Sequence, residues 1–191
     1  MNQRKYLTQS EVEMILAEAK KGRFAERDYC LLYLSFIHGF RVSEVCSLQV
    51  TDICLKERSL FIRRMKNGFS TTHPLLPEGL RAIKKWLHAR KQMVGAESKW
   101  LFVSRQGGPL TRQRVWQVMQ GLGKKAGISL EAHPHMLRHA CGFALADRGV
   151  DTRLIQDYLG HRNIRHTVCY TASNAERFKN IWLKNKRSVN S

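Results

Sequence analysis

The chain has 191 residues, with 33 Lys plus Arg against 15 Asp plus Glu, a formal charge of +18 and a pI of about 10.2. That length suits a single domain with a real core, and its longest apolar stretch, Tyr29 to Ile37, is too short to span a bilayer. So large a cationic excess favours a polyanionic partner, nucleic acid above all.

The start, Met1-Asn2-Gln3-Arg4-Lys5, is polar and shows no signal peptide, which points to a cytoplasmic protein. Thr8 and Glu11 form a capping-box pattern ahead of Val12, Ile15, Leu16 and Ala19 at helical spacing. A second helix is predicted from about Ala25 to His38, apolar on most sides and hence central, and Gly39 ends it just before Arg41. Leu60, Ile62 and Arg64 then alternate with Phe61, Arg63 and Met65, and Asn67-Gly68 is a hairpin signal that sets Lys66 at a tip before a strand over Ser70 to Leu76.

A long helix is expected from Pro77 to Gln92, then a short extended piece over Trp100 to Ser104 and a loop at Gln106-Gly107-Gly108-Pro109. Thr111 opens the next helix, with Val115, Val118, Met119 and Leu122 facing inward. Pro134 begins another that Gly149 stops, and Asp151 caps one that Gly160 stops, leaving His161 just past a helix end. A short helix carries Ile164, Val168 and Tyr170, and a basic tail from about 174 to 191 has a helical pattern through Phe178, Ile181 and Trp182. The fold class expected is mainly α with a small antiparallel β-sheet. The five cysteines (Cys30, Cys46, Cys54, Cys141 and Cys169) form no Cys-x-x-Cys pair and read as reduced, buried thiols.

Six residues stand out for their chemistry: Arg41, Lys66, His135, Arg138, His161 and Tyr170, the last four separated by 3, 23 and 9 residues. A phenol has an unperturbed pKa near ~10, so using one as a nucleophile requires a target held close and its charge neutralised. Arginine offers a planar fork matched to two phosphate oxygens, whereas lysine is a compact charge whose proton can be given away. One nucleophile candidate among five cationic or proton-donating groups is equipment for phosphoryl transfer.

These segments resemble the tyrosine recombinase (phage integrase) family. The matches are Gly39-Phe40-Arg41-Val42-Ser43-Glu44, Lys66 eight residues before Pro74, His135-Met136-Leu137-Arg138-His139, Leu159-Gly160-His161, and Tyr170. Residues 67–75 and 154–166 are similar to the fimbrial-switch invertases within it, which flip a promoter segment between inverted repeats.

The resemblance implies the catalytic fold of the DNA breaking-rejoining enzymes, spread over residues 1–191 as one domain without a separate amino-terminal clamp. It implies that Tyr170 attacks a phosphodiester to give a 3′-phosphotyrosyl link, that Arg41, Arg138 and His161 hold the phosphate oxygens, and that Lys66 protonates the leaving 5′-oxygen. His135 accepts the tyrosine proton or orients the phosphate, and Glu44 orients its neighbours. No cofactor is needed, because the bond energy is retained. Double-stranded DNA with inverted repeats, a homotetramer and DNA-bending accessory proteins are the implied partners.

Three other readings stay open at this level. A DNA-binding regulator could keep the scaffold without the reaction, and a type IB topoisomerase would share the chemistry. The cluster His133, His135, His139 and Cys141 invites a zinc site, against which stands the adjacent charge of Arg138 and the lack of a His-Glu-x-x-His frame. Tyr158 is the nearest rival to Tyr170, and His139 reads as structural or as a support to its neighbours.

Overall fold

The computed structural model describes residues 4–64 and 69–172. Thr8 caps helix α1 (Gln9–Ala19) with the reciprocal Glu11 contact of a capping box, and Val12, Ile15, Leu16 and Ala19 are its buried stripe. Helix α2 (Ala25–Ile37) buries Cys30, Leu31, Leu32 and Leu34 and packs against α1, α4 (Pro77–Arg90) and α6 (Pro134–Asp147). A helix touched on three sides needs apolar residues around most of its circumference, as the sequence predicted.

The short helix α3 (Val42–Cys46) follows α2 after a tight turn and leads to a 3₁₀ turn, Val50–Asp52. Strands β1 (Ile53–Cys54), β2 (Ser59–Ile62) and β3 (Thr71–Pro74) form an antiparallel sheet in that order. The expected hairpin is β2 and β3, in register Leu60↔His73 and Ile62↔Thr71, while β1 is an addition too short to show a periodicity. Leu60 and Ile62 point inward and Phe61 outward, the two-residue alternation of a sheet with one wet face.

Helix α4 starts with Pro77 at its first turn, and its Trp86 donates from Nε1 to the Leu101 carbonyl at 2.9 Å. The Trp100 to Ser104 piece makes only isolated bridges, Gln49↔Trp100 and Val103↔Pro109, because no continuous partner strand lies alongside. Helix α5 (Arg112–Lys125) is capped by Thr111, and α7 (Thr152–Leu159) by Asp151. Helix α8 (Arg165–Thr171) lies against α6 and α7.

One expectation is corrected. Cys54 and Cys169 are exposed and only Cys30 and Cys141 are fully buried, since Cys54 ends an edge strand and Cys169 faces outward on α8. Ile164 and Val168, on which the sequence reading placed no burial, are exposed too, because α8 turns its Thr167 and Tyr170 side inward. The basic tail and Lys66 lie outside the described residues. Among the described residues no helix is long and apolar enough to cross a membrane.

Candidate functional site

The site is built where chain reversals meet. Gly39 has φ +59° and a Cβ there would collide with Leu159, so only glycine lets the chain leave α2 so close to the end of α7. Gly160, with φ +66°, ends α7 in a left-handed cap whose open side is filled by Arg64. These two turns bring Arg41 and His161, 120 positions apart in the sequence, to one place.

Glu44 ties the place together. Its fully buried carboxylate accepts from the Arg41 backbone N–H at 2.9 Å, from Arg41 Nη1 at 2.8 Å and from Arg64 Nη1 at 2.8 Å, with Arg138 Nη1 4.0 Å away. Arg64 Nη2 donates to the Tyr158 carbonyl at 2.6 Å, while Arg138 donates to the carbonyls of Gly39 and Leu159. Each guanidinium is therefore held by a carboxylate or by carbonyls that helix ends leave unpaired.

Arg41, His135, Arg138, His161, His166 and Tyr170 line one cavity of about 290 Å³. His161 shares a hydrogen bond between Nδ1 and Thr167 Oγ1 at 2.9 Å, which fixes its ring. The Tyr170 ring is 2% exposed and packs edge-on against Phe143, with centroids 5.1 Å apart. Gly142 makes room for it, because a Cβ there would stand 2.6 Å from the ring. The Tyr170 hydroxyl lies 3.0 Å from His139 Nδ1.

The cavity is cationic and its groups oppose one another's protons. Burial, then the charges of Arg41 and Arg64, lower the Arg138 pKa to about 10. Burial followed by Arg138 and Arg41 takes His161 to about 3, and burial with His139 and Arg138 takes His135 to about 4, so both rings are neutral at pH 7. Burial works to raise the Glu44 pKa, but Arg64 and the Arg41 hydrogen bonds outweigh it and leave the group lowered, an anion throughout the neutral range. Burial raises the Tyr170 pKa, opposed by Arg138 and Arg41. One buried carboxylate serves three guanidiniums, so an anion entering the cavity meets uncompensated positive potential.

Of the six residues picked from the sequence, Arg41, His135, Arg138, His161 and Tyr170 share this cavity and Lys66 lies outside the described residues. Tyr158 is committed elsewhere, donating its hydroxyl to the Ile37 carbonyl at 2.9 Å. The zinc grouping is not assembled: Cys141 directs Sγ to the Ile37 carbonyl, and among the described residues no three His, Cys, Asp or Glu are grouped to hold a metal. Sequence reasoning gave no role to Arg64, Gly142 or a His139–Tyr170 contact. Arg64 had a signal, since it shares the inward parity of Leu60 and Ile62, where a charge demands a counter-ion.

The fold is shared with a solved recombinase: the crystal structure of XerA recombinase superposes with a TM-score of 0.80 at 27% identity, over 96% of this chain and 66% of that one. The chain thus spans just under two thirds of that solved chain. Among curated relatives, the type 1 fimbriae regulatory protein FimB of Escherichia coli (strain K12) is 59% identical over 179 residues, covering 94% of this chain and 90% of the relative. FimE of the same strain, also a type 1 fimbriae regulatory protein, is 50% identical over 186 residues, or 97% and 94% of the two chains. The chain belongs to the phage integrase family, whose model matches residues 5–177.

Proposed function

We propose that the protein is a site-specific tyrosine recombinase that cuts and rejoins double-stranded DNA through a covalent link to Tyr170. The observation that carries this reading is the placement of the Tyr170 side chain in one cavity with Arg41, Arg138 and His161. Attack by the phenol on phosphorus puts charge on the non-bridging oxygens, where two guanidiniums and an imidazole donor lower the barrier; losing one such donor typically costs ~10² to 10³ in rate. Lys66 is the general acid for the leaving 5′-oxygen, and His135 orients the phosphate. The phosphotyrosyl link stores the energy of the broken bond, so resealing needs no cofactor.

The fimbrial names of FimB and FimE support a finer reading, in which the reaction inverts a promoter segment between inverted repeats and switches surface-fimbria genes. Residues 1–191 then act as one catalytic domain, four protomers assemble on two sites, residues 174–191 dock on a neighbour, and DNA-bending proteins assist. The work is done in the cytoplasm, where the DNA is.

A nicked duplex carrying the repeat that flanks the gene traps the covalent step. Wild type gives a protein–DNA adduct, and Tyr170→Phe binds the same duplex and gives none. An adduct persisting in Tyr170→Phe overturns the assignment.

A further inference from the structure

We propose that His139 is the base that takes the proton of Tyr170, a role distinct from the orienting of the phosphate assigned above to His135. The inference rests on the recombinase reading above and assigns one step within it.

The geometry separates the two imidazoles. Tyr170 Oη is 3.0 Å from His139 Nδ1, within direct proton-transfer reach, and the rings meet edge to face with centroids 5.8 Å apart. His135 has no hydrogen bond to Tyr170 among the described residues; its ring instead stands against that of His139, at 4.4 Å and 82°. One helix, α6, therefore lines the cavity with His135, Arg138 and His139, and of the two histidines only His139 is hydrogen-bonded to Tyr170. Arg138 and His139 are adjacent in sequence, about 100° apart around the helix, which lets them address different atoms of one reaction.

The surroundings keep His139 ready to accept. The charged and titratable groups that face it are Arg138, His135 and His133 beside it, Lys5 from the amino-terminal segment, and Tyr170 from α8. None of them is a carboxylate. Burial, then Arg138, lower its pKa, so the ring is neutral at pH 7 and Nδ1 accepts from the phenol O–H.

In cleavage, the bond from Tyr170 Oη to phosphorus forms and the bond from phosphorus to the 5′-oxygen breaks. The phenolic proton moves to His139 Nδ1, and the leaving oxygen takes a proton from the general acid. Resealing runs the same transfers backwards, with protonated His139 returning its proton to the departing phenol oxygen.

Adduct formation is measured from pH 5.5 to 9 on the nicked duplex for wild type, His139→Ala, His139→Gln and His135→Ala, with binding checked by gel shift. His139→Ala is expected to bind and to react about 10² to 10⁴ times more slowly. Its acid limb is lost, its rate climbs toward high pH, and added imidazole restores part of it. His139→Gln preserves bulk and a hydrogen bond but cannot titrate, so it shows the same profile even if the alanine variant folds poorly. A substrate with sulfur at the 5′-bridging position, whose leaving group needs no proton, is expected not to rescue either variant. Sulfur rescue, an unchanged pH profile in both His139 variants, or these signatures in His135→Ala instead would overturn the proposal. A wild type that forms no adduct sinks the recombinase reading itself, and the inference with it.

Discussion

Glu44 Oε2 accepts from Arg64 Nη1 at 2.8 Å with neither side chain exposed to solvent, and the same carboxylate also holds Arg41. Removing one partner of a buried ion pair leaves the other uncompensated, at about 3 to 5 kcal/mol. Glu44→Ala strands Arg64 and Arg138 together and is expected to lose that much in urea unfolding. Arg64→Met leaves Glu44 still paired with Arg41, so it should lose less. Equal losses in the two variants would contradict a carboxylate shared among several cations.

Gly142 is a packing requirement of Tyr170, the proposed nucleophile. Alanine there must displace the Tyr170 ring, since the added carbon would lie 2.6 Å from it, and overpacking of this kind costs about 1 to 3 kcal/mol. A nucleophile moved by about 1 Å loses roughly 10²-fold in rate. Gly142→Ala is therefore expected to bind DNA normally in a gel shift and to form adduct about 10²-fold more slowly on the nicked duplex.

Two neutral histidines lie under the site. His38 and His73, 1% and 3% exposed, approach to 3.3 Å between their Nδ1 atoms, and burial takes their pKa values to about 3 and 4. Between those values and the ordinary 6.5 the unfolded chain binds protons that the folded chain refuses, so stability rises with pH there. It is fully present above about 6.5 and lost as pH falls toward 4, with His135 and His161 acting in the same sense. Urea midpoints should fall steadily from pH 7.5 to 5, and His73→Phe should show a shallower slope.

Tyr158 tests the choice of nucleophile. Its hydroxyl donates to the Ile37 carbonyl, so Tyr158→Phe is expected to lose about 0.5 to 1.5 kcal/mol of stability and to keep forming adduct. Loss of adduct with folding intact would move the nucleophile away from Tyr170.

The charge of +18 sets a salt dependence. If the protein neutralises about 6 to 10 phosphates, affinity for a duplex should drop by roughly 10³ to 10⁵ between ~50 and ~200 mM salt, as read by fluorescence anisotropy. A flat response would mean that the basic residues do not face the backbone.

The longer helices were legible because they carry their own punctuation: Thr8, Thr111 and Asp151 as caps, Pro77 and Pro134 at first turns, and Gly39 and Gly160 at ends, whereas the five-residue α3 has none and was not foreseen. That Arg41, His135, Arg138, His161 and Tyr170 belong together was legible from residue type and from the motifs that resemble the family, and the five do line one cavity. Strand β1 was not, since two residues have no period, and neither was the outward turn of Ile164 and Val168, because apolarity does not say which side of a short helix finds a partner.

By itself, then, the sequence determined the residue types that can attack and stabilise a phosphate, the local elements that carry them, and the cationic field around them, all of which follow from neighbours along the chain. Only the tertiary structure decided that Glu44 holds Arg64 as well as Arg41, that Gly142 opens space for Tyr170, and that His139 meets the phenol. Those are contacts between segments 20 to 31 residues apart, fixed by how helices and strand close on one another, and no local periodicity encodes them.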